Sequence, residues 1–183
     1  MQIVVGLGNF PAAYHRTPHN IGRLAVEALA RRWRLEWVEK KDVLDAAVRE
    51  GRAVLVAPRS YMNTSGPAVL WARNRWKAPL EDVWVVCDDF TLPWGRLRIR
   101  RDGRSGGHNG LESVIQSLGS TAFPRLRVGV GPVPEGMDPK DFVLGKQPRE
   151  RLEKLAEQAA DALEAAMDEG LESAMNRFNA ARK

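Results

Sequence analysis

Gln2-Ile3-Val4-Val5-Gly6-Leu7-Gly8-Asn9, then Thr17-Pro18-His19-Asn20, then Ile21, Leu24, Ala25, Ala28 and Leu29 at helical spacing: this opening reads as a buried strand, a loop and an amphipathic helix. A glycine-bounded strand feeding a helix is the repeating unit of α/β folds, whose ligands gather at strand ends. Thr17-Pro18-His19-Asn20 carries one of only three histidines in the chain. His19, with carboxamides nearby, is therefore the first candidate for proton transfer near neutral pH.

Downstream segments extend the pattern. Ala46 to Arg49 and Ala53 to Ala57 flank Glu50-Gly51 and predict a hairpin or two adjacent strands. After a loop at 58–65, Thr64 or Ser65 is placed to cap a helix that starts at Gly66-Pro67 and carries Val69, Leu70, Ala72 and Trp76. Val83-Trp84-Val85-Val86-Cys87 is the clearest continuous strand and ends in Asp88-Asp89. Leu97 and Ile99 alternate with Arg96, Arg98 and Arg100, a half-buried strand with its arginines on one face. A loop with four glycines and His108-Asn109 follows, then a helix stripe at Leu111, Val114, Ile115 and Leu118, and an alternating strand at Leu126, Val128 and Val130. The proline- and glycine-rich stretch at about 131–148 is expected to be a flexible surface loop, and C-terminal helices are expected at about 149–181, broken at Gly170. The expected fold is a single α/β domain over 1–183, with a twisted, mixed, largely parallel sheet flanked by helices.

With 183 residues and 44% hydrophobic content the chain suffices for one substantial core. Its net charge of +5 favours polyanionic partners such as RNA. A lone Cys87 rules out an internal disulfide and suits a reducing, cytoplasmic compartment. No run has the length of a membrane span, so no membrane partner is expected.

Several chemistries can be weighed against these residues. Gly6-Leu7-Gly8 approximates a dinucleotide fingerprint, but its third glycine position holds Pro11; tight-turn glycines that expose Asn9 are the simpler reading. No glycine-lysine pair precedes serine or threonine, which removes the triphosphate loop, and no G-x-S-x-G supplies a serine nucleophile. Asp88-Asp89 offers a pair suited to magnesium, the basis of a metal-dependent phosphoesterase alternative. Cys87 closes an apolar strand and reads as buried and inert. His19 acting as a general base needs a partner that fixes its tautomer, and Asp88 at a strand end can supply it. Asn9, Asn20, Asn63 and Asn109 stand at element boundaries, where carboxamides serve as caps or as neutral holders of a carbonyl or water. The arginines of 96–104 are either a solvated face or a phosphate-contacting one.

Taken together, Gly6-Leu7-Gly8-Asn9, Tyr14, Thr17 with His19-Asn20, Tyr61-Met62-Asn63 with Ser65-Gly66, Asp88, and Gly106-Gly107-His108-Asn109-Gly110-Leu111 resemble bacterial peptidyl-tRNA hydrolase. Gly119, Arg125-Leu126-Arg127-Val128-Gly129-Val130-Gly131 and Asp141-Phe142-Val143-Leu144 continue the resemblance in order to the C-terminal region. The resemblance implies a monomeric cytoplasmic hydrolase that cleaves the ester between a peptide and the 3′-terminal ribose of tRNA, with no metal or organic cofactor. It implies peptidyl-tRNA as substrate and a stalled ribosomal subunit as a further partner. By position, His19 resembles the catalytic base, Asp88 the residue that keeps its basic form available, and Asn9 the residue that distinguishes a peptidyl from a free amine. Tyr14, Tyr61, Asn63 and Asn109 resemble tRNA-binding positions, as do the basic Arg100 and Arg127. Phe10-Pro11 stands where the family has Pro-Gly, and Pro18 where it has arginine. A non-catalytic RNA-binding module is the alternative, separated from the enzyme by turnover of the ester.

Overall fold

The computed structural model describes residues 1–41 and 43–180. In chain order it contains β1 (Gln2–Gly6), α1 (Ile21–Arg32), β2 (Val38–Lys40), β3 (Leu44–Arg49), β4 (Ala53–Pro58), α2 (Gly66–Trp76), β5 (Val83–Pro93), β6 (Leu97–Arg100), α3 (Asn109–Leu118), β7 (Arg125–Gly131), α4 (Pro139–Leu144), α5 (Arg149–Glu169) and α6 (Leu171–Asn179). Seven strands form one sheet in the order β2-β3-β4-β1-β5-β7-β6. The central run β4-β1-β5-β7 is parallel, while β2/β3, β3/β4 and β6/β7 are antiparallel. The mixed sheet expected from the sequence is the one observed, its parallel part being the four central strands.

Both faces of the central strands are covered, which is why they read as continuous apolar runs. Val4 and Val86 face the layer of α1, α5 and α6; Ile3, Val5 and Cys87 face α2 and α3. The connections leaving β1 and β4 therefore pack on opposite faces, and the crevice beyond the ends of β1 and β5 is the position where open α/β sheets hold ligands. At the far edge, Asn179 of α6 accepts from the Ile99 amide (2.7 Å) and donates to its carbonyl (2.9 Å), so the outer edge of β6 is partly satisfied.

Gly6 and Gly22 set how closely α1 approaches the sheet. A methyl group on Gly22 would lie 2.2 Å from the Val86 carbonyl oxygen, and one on Gly6 would lie 2.3 Å from the Gly22 carbonyl oxygen. The tight-turn reading of Gly6 and Gly8 is thereby corrected: neither has a positive φ, and each gives room to a neighbouring backbone or side chain. The close seat of α1 brings the preceding 3-10 turn, Pro18–Asn20, over the end of β5. Pro18 occupies its first position, where a fixed φ is already compatible with the turn.

Other expectations need adjustment. The stretch at 131–148 contains α4, capped by Asp138, whose carboxylate accepts from the Lys140 amide at 2.7 Å, with Pro139 in its first turn. Gln147 then donates its amide to the Arg16 carbonyl (2.9 Å), tying this region to the loop before His19. Ser65 precedes α2 but its hydroxyl donates to the Met62 carbonyl, and Ser113 on α3 instead accepts from the Gly66 amide at 2.9 Å. The β5 strand continues past Asp89 to Pro93. The long C-terminal helix breaks at Gly170 as expected; the predicted end at residue 181 lies outside the described residues.

Candidate active site

Three elements meet at Asp88. Buried near the end of the paired run of β5, it receives His19 from the turn before α1 and His108 from the cap of α3. His19 Nδ1 lies 2.8 Å and His108 Nε2 2.9 Å from the same oxygen, Oδ1. Burial alone pushes the Asp88 carboxyl upward, but the charges of His19 and His108 and their hydrogen bonds outweigh it and hold the group well below the usual carboxylate range. An ionised carboxylate only accepts, so both ring nitrogens facing it carry protons. His108 Nδ1 in turn accepts from the Leu111 amide at 3.1 Å, which leaves that nitrogen without a proton.

His19 has a different second nitrogen. With Nδ1–H given to Asp88, Nε2 of the neutral ring is a proton acceptor, and it makes no hydrogen bond among the described residues. The side chain is 14% exposed, so water reaches it. Burial opposes charging of this ring, yet the Asp88 charge and hydrogen bond more than offset that and raise its pKa above the ordinary 6.5. The geometry is that of a general base with an orienting carboxylate.

His19, Asp88 and His108 also place three metal-capable atoms within 4.8 Å of one another. Their hydrogen bonds do not suit a shared cation. A metal on His108 Nε2 would shift the ring proton to Nδ1, against the N–H of Leu111. Nor are Asp88 and Asp89 a free pair: Asp89 accepts from the Thr91 amide and hydroxyl and from Arg127, while Asp88 is engaged by the two histidines. The magnesium-pair reading is corrected on that ground. Cys87 is fully buried, and burial pushes its thiol far up, which makes it inert as expected.

Asn9 forms the adjoining wall. Its backbone N–H donates to Asn20 Oδ1 and its carbonyl accepts from Asn20 Nδ2, both at 2.9 Å. Its own Oδ1 accepts from the Met62 amide at 2.8 Å, which fixes the carboxamide orientation and leaves Nδ2 with no hydrogen bond among the described residues. Met62 sits in the 3-10 turn Met62–Thr64, which packs on α3; a methyl on Gly110 would lie 2.4 Å from its sulfur. Asn63 and Asn109 thus lie on neighbouring elements, both exposed, and neither makes a side-chain hydrogen bond among the described residues. Tyr14 and Tyr61 meet edge to face with ring centroids 6.4 Å apart, and Tyr61 is 57% exposed.

Beside His108 and Asp88 opens a cleft of about 490 Å³ whose cationic lining is Arg98, Arg100, Arg104, Arg125 and Arg127. Arg98 lies directly opposite Arg127 and Arg100 opposite Arg125 in the β6/β7 ladder. Like charges so placed repel one another and favour an anion between them. Arg125 is buried and donates to the carbonyls of Gly103, Thr121 and Phe123; burial lowers its pKa to about 10. Arg127 pairs with Asp89 and holds the carbonyls of Arg104 and Ser105, so it braces the loop that leads to His108. Arg98, Arg100 and Arg104 make no ion pair among the described residues.

Residues 3–183 match the family model described as peptidyl-tRNA hydrolase. The chain belongs to the peptidyl-tRNA hydrolase family. It is 43% identical over 186 residues to the peptidyl-tRNA hydrolase of Chloroflexus aggregans, covering 98% of this chain and 99% of that one. To the Synechococcus sp. (strain JA-2-3B'a(2-13)) enzyme it is 45% identical, covering 98% and 83%. The crystal structure of an Arg119Gln mutant of Acinetobacter baumannii peptidyl-tRNA hydrolase superposes with a TM-score of 0.86 at 31% identity, covering all of this chain and 96% of that one. Within this member of the family, every site residue expected from the sequence lies on one side of the sheet ends or in the adjoining cleft. Two roles went unread there, the bond of His108 to Asp88 and the bracing of the Asn9 backbone by Asn20, which the sequence offered only as a cap or neutral holder. Their sequence signals were the scarcity of histidine and the adjacency of Asn20 to His19, neither of which reveals a partner.

Proposed function

We propose that this chain hydrolyses the ester joining a peptide to the 3′-terminal ribose of tRNA, with His19 Nε2 as general base. The supporting observation is a partly exposed histidine with one nitrogen locked by a buried carboxylate and the other open. Nε2 takes a proton from water as the water oxygen bonds to the ester carbonyl carbon. The carbon–oxygen bond to the ribose then breaks, and the proton passes to the departing ribose hydroxyl. Asp88 orients the ring and stabilises the imidazolium.

The Asn9 NH₂ group, held out by Met62, suits a peptide carbonyl and so a blocked amine. Asn63 and Asn109 supply uncharged donors for the water, the peptide or the developing oxyanion. Tyr14 and Tyr61 offer ring faces or edges for the tRNA end. Arg100 and Arg127 line the cleft proposed for its phosphates. No metal or organic cofactor enters this scheme. The proposed setting is the cytoplasm, which the lone buried cysteine suits, with stalled ribosomal subunits as a source of substrate. A monomer is proposed because one sheet edge is met by Asn179 and the other strand, β2, is only three residues long. No helix of the described residues is long and apolar enough to cross a membrane.

The test is release of the acyl group from N-acetylated aminoacyl-tRNA and from its unblocked counterpart. The wild-type chain is expected to turn over the blocked substrate repeatedly, spare the unblocked one and ignore chelators, and folded His19→Ala to be inactive in a single turnover. Near wild-type release by His19→Ala would remove the base from the scheme.

A further inference from the structure

Phe10 follows Asn9 and is held from two directions. Its amide donates to the Ser60 carbonyl at 2.9 Å, and two residues later Met62 donates to Asn9 Oδ1. Its half-buried ring lies beneath two guanidinium groups, with the Arg59 and Arg23 carbons 4.6 and 5.5 Å from the ring centroid. Both distances are within the range of cation–π attraction.

The cations are themselves fixed. Arg23 is buried on α1 and binds Glu27 (2.9 Å), Asp45 (3.3 Å) and the Pro58 carbonyl (3.1 Å). Arg59 binds Asp45 (3.2 Å) and Glu39 (2.5 Å), so Asp45 bridges the two. Carboxylates engage the edges of a planar guanidinium and leave its faces, which are weakly hydrated, to an aromatic ring. The ring of Phe10 is therefore seated on groups anchored to α1, β3 and the end of β4.

We propose that Phe10 is a positioning residue for Asn9. The Arg23/Arg59 seat fixes the Phe10 ring and backbone, and these hold the loop so that the Asn9 carboxamide keeps its bond to Met62 and presents Nδ2 to the peptide. This role rests on the reading above in which Asn9 contacts the substrate. A side chain of similar bulk without a π face fills the space but loses the attraction to the guanidiniums, whereas tyrosine keeps it.

The experiment measures kcat and KM for N-acetylated aminoacyl-tRNA with the full chain and the variants F10L, F10Y, N9A and N9A/F10L, alongside thermal melts. F10L is expected to lower kcat by roughly tenfold with KM little changed, because misplacing a contact group is felt at the reacting centre. F10Y stays near wild type. In the N9A background F10L causes no further loss, since a residue that acts through Asn9 has nothing left to position. If F10L melts below the assay temperature, R59Q replaces it in the same cycle with N9A. Undiminished loss in the N9A background, or F10L indistinguishable from wild type, overturns the role of Phe10 while leaving the hydrolase reading intact. A wild-type chain that releases neither blocked nor free aminoacyl groups overturns both.

Discussion

Asp88 serves two imidazoles through one oxygen, and the second nitrogen of each ring decides what that ring does. His108 spends Nδ1 on the Leu111 amide and becomes a helix cap, while His19 keeps Nε2 open to water. The pH dependence follows from the same arrangement. Asp88 stabilises the protonated form of His19 and raises its pKa above 6.5, and only the neutral ring accepts a proton. Activity is therefore lost as the pH falls through a value above that of an ordinary histidine. Asp88→Asn removes the charge, so the acid limb of the kcat/KM profile should move to lower pH. The plateau should fall by about two orders of magnitude or more, since tautomer control is lost. A limb that stays in place in this variant would detach Asp88 from the titration. His108→Ala should weaken the fold by about 1 kcal/mol through loss of the cap, read by urea denaturation, with a smaller rate loss than Asp88→Asn. Equal rate losses would mean that His108 does more than brace Asp88.

Those side chains converge because α1 lies almost against the sheet, and the close approach is where element packing and chemistry join. A methyl at Gly22 would meet the Val86 carbonyl at 2.2 Å, backbone against backbone, with no flexible side chain to yield. Gly22→Ala should therefore destabilise the chain by about 1–3 kcal/mol in denaturant titrations and, by lifting the turn that carries His19, lower the rate of the fraction still folded. An alanine variant with unchanged stability would show that α1 has room the packing denies. This dependence was hidden in the sequence, where a glycine needed for close approach looks the same as one needed for a turn. The apolar runs of β1 and β5, the β3/β4 hairpin and the stripes of α1, α3 and α5 were legible because burial writes a period into the chain. Exposed β2 is too short to show one, and so is α4, whose cap and proline lay within a loop-like composition. His19 and Asp88 were legible at the ends of such elements. His108 was not, because its link to Asp88 spans a glycine-rich loop whose course depends on Arg127.

Over the whole molecule, the distribution of charge matters more than the net +5. On the face built by α1 and α5, Arg31, Arg32 and Arg52 are paired with Glu157, Asp161, Glu164 and Asp168. The larger groove near that face, of about 1160 Å³, mixes both signs and contains none of the site residues. Arg98, Arg100 and Arg104, by contrast, make no ion pair among the described residues and line the cleft that reaches Asp88 and His108. Exposed pairs are worth little to stability, but they offset the long-range field of the charges they join, whereas Arg98, Arg100 and Arg104 act on a polyanion at the cleft without such an offset. Binding of tRNA by this cleft, as proposed above, would release counterions in proportion to the phosphates neutralised. Arg98→Gln and Arg100→Gln should each weaken tRNA binding and flatten the plot of log affinity against log salt by roughly one unit for each phosphate no longer neutralised. Arg31→Gln, on the neutralised face, should leave that slope unchanged. If all three variants shift the slope alike, attraction comes from net charge alone; if only the cleft variants do, the phosphates pass alongside β6 and β7 on their way to His19.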